Sequence, residues 1–161
     1  MNTPNSSDCK KGCEFRRAIL LGGLVAGTLD ATDGVIAYFL AFRMNPIQVL
    51  QYIASGYFGA ASFQGGLLTA GAGMLFHYFI SFTVATIFCY AAKFIPWLKQ
   101  NFVLSGVAYG AAVYFVMNYL VLPLSAVAPS AFSLPLFLNG VIGHALFVGL
   151  PIAWFVRKPL I

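Results

Sequence analysis

The chain has 161 residues, of which 60% are hydrophobic and only 8% are charged, and its formal net charge is +5 at pH 7. Soluble domains carry charge on about a quarter of their residues, so this composition excludes a soluble globular protein and indicates an integral membrane protein. The basic residues form no stripe or aromatic-interleaved patch, which excludes nucleic acid and leaves the lipid bilayer as the predicted partner.

The first 17 residues are polar, and we expect residues 1–17 to form a disordered cytoplasmic tail. Cys9 and Cys13 lie in this tail. Their C-x3-C spacing, without a neighbouring histidine, is a weak metal signal, so we interpret them as tail thiols and predict no metal site. Cys89 is expected to be a small packing residue in a helix.

Four apolar runs follow, each long enough to cross about 30 Å of hydrocarbon. They cover residues 18–42, 67–92, 102–122 and 135–156. The sequence therefore predicts an all-α membrane protein, with residues 18–158 forming a single bundle of four transmembrane helices. A cleaved signal peptide at the first run is the competing interpretation, but that run continues past Asp30 to Phe42, which favours a span.

The segment after the first run has the pattern of a capped helix. Asn45, Pro46 and Gln48 match an N-cap, an N1 proline and a capping-box glutamine, which predicts a helix over residues 46–58. On a helical wheel its apolar residues share one face, and the other face carries Gln48, Gln51 and Ser55. We expect an interfacial amphipathic helix that lies as a lid across the outer end of the bundle.

The distribution of basic residues predicts the orientation. Eight of them lie on the tail, on the loop between the second and third runs and on the C-terminus, whereas only Arg43 lies on the opposite side. The positive-inside rule then places both termini in the cytoplasm. The same imbalance argues against a dual-topology protein.

Six polar residues within the runs are candidates for binding a ligand or a proton: Asp30, Asp33, His77, Asn118, Asn139 and His144. Counted from the basic end of each helix, Asp30 and His144 lie equally deep, at about 20 Å, and Asp33 and His77 lie at about 24 Å. This count predicts two pairs, Asp30 with His144 and Asp33 with His77. Glycines share the Asp30 face of the first helix, so we expect that face to turn inward.

The predicted polar layer has two interpretations. A charged residue at mid-membrane costs about 2.5–3.5 kcal/mol on insertion scales and is by default a functional candidate, so the layer could bind or relay a proton or a small polar ligand. Alternatively, these groups satisfy one another and fix helix register in a structural accessory subunit of a larger membrane complex. A small proton-coupled transporter is an architectural analogy to the first interpretation.

Two histidines on different helices are also the ligands that a b-type haem requires, and helix bundles host quinones as well. The unequal depths of His77 and His144 and the acidic neighbours speak against a porphyrin, so we predict no resident cofactor. Asp30 and Asp33 lie one turn apart on one helix, which does not fit an aspartyl protease, and Ser55 lacks a serine-hydrolase motif. We therefore expect no enzymatic activity.

Two Gly-x-x-x-Gly motifs, Gly23 to Gly27 and Gly106 to Gly110, bear on assembly. Such motifs pack helices within one chain or between chains, and the spacing does not choose. A homo-oligomer or a larger membrane complex stays open.

Several segments resemble a family of small bacterial inner-membrane proteins with no assigned activity. They are Gly27-Thr-Leu-Asp30, Ile53-Ala-Ser-Gly56 continuing to Ala61-Ser-Phe-Gln-Gly-Gly66, and Phe115-Val-Met-Asn-Tyr119 with Val121-Leu-Pro-Leu-Ser125. The resemblance covers nearly the whole chain after the tail and implies four spans in the bacterial inner membrane. Asp30 and Asn118 belong to the matching segments, whereas Asp33 and both histidines lie outside them.

Overall fold

The computed structural model describes residues 6–157, with side chains from Glu14 onward. Within these bounds the chain is helical and contains no strand. The helices are α1 (Ser6–Phe42), α2 (Pro46–Phe58), α3 (Gly66–Phe94), α4 (Trp97–Gln100), α5 (Phe102–Val116), α6 (Leu134–Gly143) and α7 (Leu150–Arg157). A 3₁₀ segment follows α2, and π-helical segments extend α5 over Met117–Val121 and join α6 to α7 over His144–Gly149.

Four of these stretches are long and apolar enough to cross a membrane: Glu14–Phe42, Gly66–Phe94, Phe102–Val121 and Leu134–Arg157. They agree with the four spans predicted from sequence and are compatible with a multi-pass membrane protein. We call the end of the molecule that carries Arg17, Lys93 and Arg157 the basic end.

The beginning of α1 differs from the prediction of a disordered tail over residues 1–17, because the helix starts at Ser6. Extending an existing helix adds one hydrogen bond per residue without a new nucleation cost. The Phe15 ring also packs edge-on against Tyr90 of α3, with centroids 5.0 Å apart. Residues 1–5 and the side chains of Cys9 and Cys13 lie outside the described part of the chain.

Glycines of α1 allow α3 to approach closely. A Cβ atom added at Gly27 would lie 2.9 Å from the Tyr78 ring and 3.0 Å from Ser81 Oγ, and one added at Gly23 would collide with Phe82. The Gly23 to Gly27 motif therefore packs within the chain.

The motif in α5 is used in the same way. Gly106 and Gly110 lie against the backbone of the His144–Gly149 segment, and a Cβ at Gly110 would collide with the His144 carbonyl. A Cβ at Gly149 would in turn collide with the Gly106 carbonyl. Both motifs thus join helices of one chain.

The π-helical segments each end shortly before a proline. Leu150 donates its backbone N–H to the carbonyl five residues back, and Pro151 follows directly. Proline cannot donate to the helix ladder, and its ring collides with the carbonyl four residues earlier, so a wider turn removes the conflict. Pro123 follows the Met117–Val121 segment in the same way.

The capped start of α2 is as predicted. The Gln48 backbone N–H donates to Asn45 Oδ1 at 3.0 Å, and the Asn45 backbone N–H donates to Gln48 Oε1 at 2.9 Å. With Pro46 in the first turn, the capping box is complete. The helix ends at Phe58, where the backbone of Gly59 has a φ of 59°.

Two of the three residues on the polar face of α2 do not point to water as they would in an interfacial helix. Gln51 and Ser55 are only 5% and 3% exposed. Gln51 Nε2 donates to the Gly66 carbonyl at 3.0 Å, and α2 meets the α3 backbone at Gly73, where a Cβ would collide with the Leu50 carbonyl. The helix packs along α3 instead, because its polar side chains find partners there.

The hydrophobic core lies between mid-molecule and the basic end. It consists of Ala26, Ala85, Phe88, Ala92, Val148, Ile152 and Ala153. Small residues dominate, so the helix backbones pack closely here. Cys89, only 2% exposed, is a free buried thiol beside this core and agrees with its predicted packing role. At the basic end itself, the Arg157 guanidinium lies 3.9 Å from the Phe102 ring and 3.8 Å from the Trp154 ring.

Candidate functional site

A cavity of about 190 Å³ lies on the side of this core that is farther from the basic end. It is bounded by α1, α2, α3, α5 and the His144–Gly149 segment. Asp30, His77 and His144 line it together with the Tyr52 phenol. Most of the remaining wall is apolar, with residues such as Val84, Val113 and Val148. The volume has room for several water molecules or one small solute, since a single water molecule needs only about 10–15 Å³.

Asp30 and His144 lie side by side at this cavity. Asp30 Oδ1 is 3.7 Å from His144 Nδ1, and each side chain is 22% exposed. His144 Nδ1 is also 3.0 Å from the Gly140 carbonyl oxygen, which can only accept, so Nδ1 carries the hydrogen. Asp30 and His144, which residue counting pairs, are therefore neighbours, although their separation exceeds a hydrogen bond.

His77 and Asp33 do not pair, contrary to the prediction. His77 Nε2 donates to the Gly27 carbonyl at 2.8 Å. Asp33 turns away from the cavity, where its Oδ2 accepts a hydrogen bond of 2.9 Å from Asn139 Nδ2. The carboxylate also lies over Gly143, where an added Cβ would be 2.6 Å from Oδ2.

The register between α1 and α3 explains this difference. Counting from Arg17 and Lys93 assumes that both basic residues lie equally deep, but long basic side chains reach the same boundary from different depths. The observed register follows instead from the contacts Phe15–Tyr90 and His77–Gly27. It places His77 level with Thr28, about 7 Å nearer the basic end than Asp33 at 1.5 Å per residue.

The two asparagines also fall outside the cavity. Asn118 is half-buried, and its Nδ2 donates to the Tyr114 carbonyl of its own helix at 3.0 Å. Asn139 is exposed on the outside of the helices, where it holds Asp33. The six candidates therefore separate into a cavity group (Asp30, His77, His144), an outer pair (Asp33, Asn139) and Asn118 within α5 and its extension.

The sequence did not predict the contribution of α2 and of the loop that precedes α6. Tyr52 and Gly56 of α2 and Ser125 of that loop line the same cavity as Asp30. The Ala126 backbone N–H donates to the Gly56 carbonyl at 3.0 Å and joins the two segments. The polar stripe of α2, which carries no basic residue, was the available signal that this helix packs against protein.

The cavity residues do not form a ready metal centre. Within the described residues, no group of three His, Cys, Asp or Glu side chains could hold a metal ion. The volume is below the ~300–1,000 Å³ usual for drug-sized ligands, and a porphyrin is larger than such ligands. The site as described fits small solutes.

Comparisons with protein-family models, curated proteins and solved structures find no match to this chain. The chemistry of the site therefore rests on the geometry of its own residues. The resemblance of the Gly27 to Asp30 and neighbouring segments to small inner-membrane proteins stays an expectation from sequence.

Proposed function

We propose that this chain is a multi-pass protein of the bacterial inner membrane that binds a small polar ligand or a proton in the cavity between its helices. The observation that carries the proposal is the position of Asp30. Its nearest partner among the described residues, His144, lies 3.7 Å away, outside hydrogen-bond distance. A carboxylate at mid-span that served only to fix helix register would be held by donors, as Asp33 is held by Asn139.

The residues around the cavity favour a binding site that is closed at one end and not an open channel. The tight core separates the cavity from the basic end, and within it Ala26, Ala85 and Ile152 have no exposed surface. A water-filled path toward the basic end would have to pass between these side chains. We therefore infer a binding site that is accessible from the opposite end of the molecule, with transport requiring a rearrangement of the core.

The charge distribution supports the proposed orientation. With the basic end in the cytoplasm, both termini are cytoplasmic and the cavity opens toward the outer side of the membrane. The loop at Ser125 and the end of α2 at Gly56 then lie on the ligand's way in.

The test compares Asp30→Asn with Asp33→Asn in lipid nanodiscs. Both variants remove one carboxylate charge from α1, but only Asp30 lines the cavity. The thermal midpoint would be recorded for the unmodified protein and both variants with n-propylammonium, propionate, propanol and a pH series. A ligand at about 100 times its dissociation constant stabilises a protein by about 2.7 kcal/mol, which is readily measured.

We expect at least one probe to stabilise the unmodified protein and Asp33→Asn, and Asp30→Asn to lose that response while folding in normal yield. If neither a solute nor pH alters the unmodified protein, the proposal is wrong. Equal responses of all three proteins would also contradict it, since the response would then not involve Asp30.

The outer pair favours a second role, that of a subunit in a membrane complex. Asn139 is exposed on a surface that would face lipid, where polar side chains commonly hydrogen-bond across helices. Replacing Asn139 with Leu should then release the chain from a larger assembly in mild detergent, seen as a smaller mass by size exclusion with light scattering. An unchanged mass contradicts this role for Asn139.

A further inference from the structure

We infer that the cavity selects a small primary ammonium ion, because the carboxylate, both histidines and both serines that line it offer acceptors and bring no free hydrogen. This inference rests on the proposed function and specifies its ligand. It follows from the hydrogen-bond partners that the polar side chains of the wall already have.

Both histidines use one ring nitrogen to donate to a backbone carbonyl. His77 donates from Nε2 to Gly27, and His144 donates from Nδ1 to Gly140. A neutral imidazole carries a single hydrogen, so His77 Nδ1 and His144 Nε2 are left as lone-pair acceptors. Neither of these two nitrogens has a hydrogen-bond partner within residues 6–157.

The serine hydroxyls of the wall are committed in the same way. Ser81 Oγ donates to the Gly23 carbonyl at 2.7 Å, and Ser125 Oγ donates to the Leu122 carbonyl at 2.7 Å. Each hydroxyl has one hydrogen, so the cavity meets only their lone pairs. Tyr52 carries the third hydroxyl of the described wall, and its ring packs against Tyr38.

Asp30 adds the negative charge. Its carboxylate accepts hydrogen bonds and brings no hydrogen when ionised. A primary ammonium offers three donors and one positive charge, which match this carboxylate and the two bare ring nitrogens. An anion or a pure acceptor would meet the lone pairs of this carboxylate and both ring nitrogens, and that mismatch costs affinity at a buried site.

The rest of the wall favours a short organic substituent on the ammonium. Val84, Val113 and Val148 give the cavity an apolar side. A few carbon atoms would be removed from water there, each methylene gaining affinity through the hydrophobic effect. The volume of about 190 Å³ limits the substituent to a short chain.

The experiment follows the histidine ring nitrogens directly. The full chain, with ¹⁵N-labelled histidine, would be placed in phosphatidylcholine nanodiscs at a pH where both rings are neutral. It would be titrated with n-propylammonium, tetramethylammonium, propionate and propanol. Tetramethylammonium has the same charge but no N–H, so it tests the donor requirement with no variant at all.

We expect n-propylammonium to shift the bare nitrogens, Nδ1 of His77 and Nε2 of His144, in a saturable way. Tetramethylammonium should bind at least about tenfold more weakly, because it cannot donate the charge-assisted hydrogen bonds that the carboxylate and the ring nitrogens accept. Asp30→Asn should weaken n-propylammonium by a similar factor, and Asp33→Asn should not.

The outcomes separate this inference from the proposed function. If propionate or propanol shifts the ring nitrogens better than n-propylammonium, the cavity binds solutes but the ammonium assignment is wrong. Equal affinity for n-propylammonium and tetramethylammonium also overturns the donor argument while leaving a cation site. If no probe shifts either ring, the ammonium inference and a ligand-binding cavity are both wrong.

Discussion

His77 Nε2 donates to the carbonyl of Gly27 at 2.8 Å and so ties α3 to α1 one turn below Asp30. One turn further along each helix, Ser81 Oγ donates to the Gly23 carbonyl. Both acceptors are glycines, whose lack of a side chain lets α3 come close enough to reach the α1 backbone. The close approach that packs α1 against α3 therefore also positions His77 at the cavity.

This relationship predicts unequal effects of the same substitution at two glycines of α1. Gly27→Leu should lower the free energy of unfolding by about 1–3 kcal/mol or more, because the added atoms overlap Tyr78 and Ser81. Gly34→Leu is the matched control, since nothing lies within 4 Å of a Cβ added there. Unfolding by sodium dodecyl sulfate in mixed micelles measures both, and equal destabilisation would show that α3 does not pack on Gly27.

The carbonyl partners fix a different tautomer for each histidine. His144 should carry its hydrogen on Nδ1 and His77 on Nε2, because a carbonyl oxygen accepts only from an N–H. Nitrogen-15 spectra of the neutral rings, assigned with His77→Gln and His144→Gln, distinguish the two forms. Identical tautomers, or the reverse assignment, would remove the basis for an acceptor-lined cavity.

The packing of α2 predicts which of its polar positions meets water. In a background with the native cysteines replaced by serine, Gln48→Cys should react with a membrane-impermeant maleimide. Gln51→Cys and Ser55→Cys should react at least about tenfold more slowly, because both positions are buried against protein. An interfacial helix with its polar face in water would label all three positions at similar rates.

The sequence predicted the bounds and the N-terminal cap of α2 but not the helix against which α2 packs. The capping box at Asn45 depends on contacts within four residues, so its residue pattern is sufficient. The direction of the polar face depends on Gly66 and Gly73 of another helix, and a helical wheel cannot tell a polar face that meets water from one that meets backbone carbonyls. The spacing of polar and apolar residues determines which of them share a face of the helix. The element that packs against the helix determines whether that face points to water or to protein.

For the polar residues, too, the sequence predicted one part of the arrangement and missed another. Asp30 and His144 were placed together correctly because both helices have a basic residue near the same boundary. The pairing of Asp33 with His77 failed because α3 lies more than a turn away from the register that residue counting assumes, as the contacts Phe15–Tyr90 and His77–Gly27 show. Residue counting resolves depth only to within such a shift, which is too coarse to identify the partner of each polar residue.

A pH series provides the last prediction, since protons and an ammonium ion would compete for the same groups. The groups that face Asp30 across the cavity are His144, His77 of α3 and Tyr52 of α2. Protonating the carboxylate or either bare ring nitrogen removes an acceptor or adds a positive charge, so the affinity for n-propylammonium should fall as the pH is lowered. The limit is about tenfold per pH unit for each proton displaced.

Asp33→Asn should keep this pH dependence, because Asp33 is held by Asn139 outside the cavity. Asp30→Asn should bind n-propylammonium weakly at every pH and show a flatter profile. Isothermal titration in two buffers of different ionisation enthalpy would count the protons released on binding. Zero protons released across the range in which the affinity changes would mean that the pH acts on the fold and not on the cavity, since a ligand that takes the place of a proton must release it.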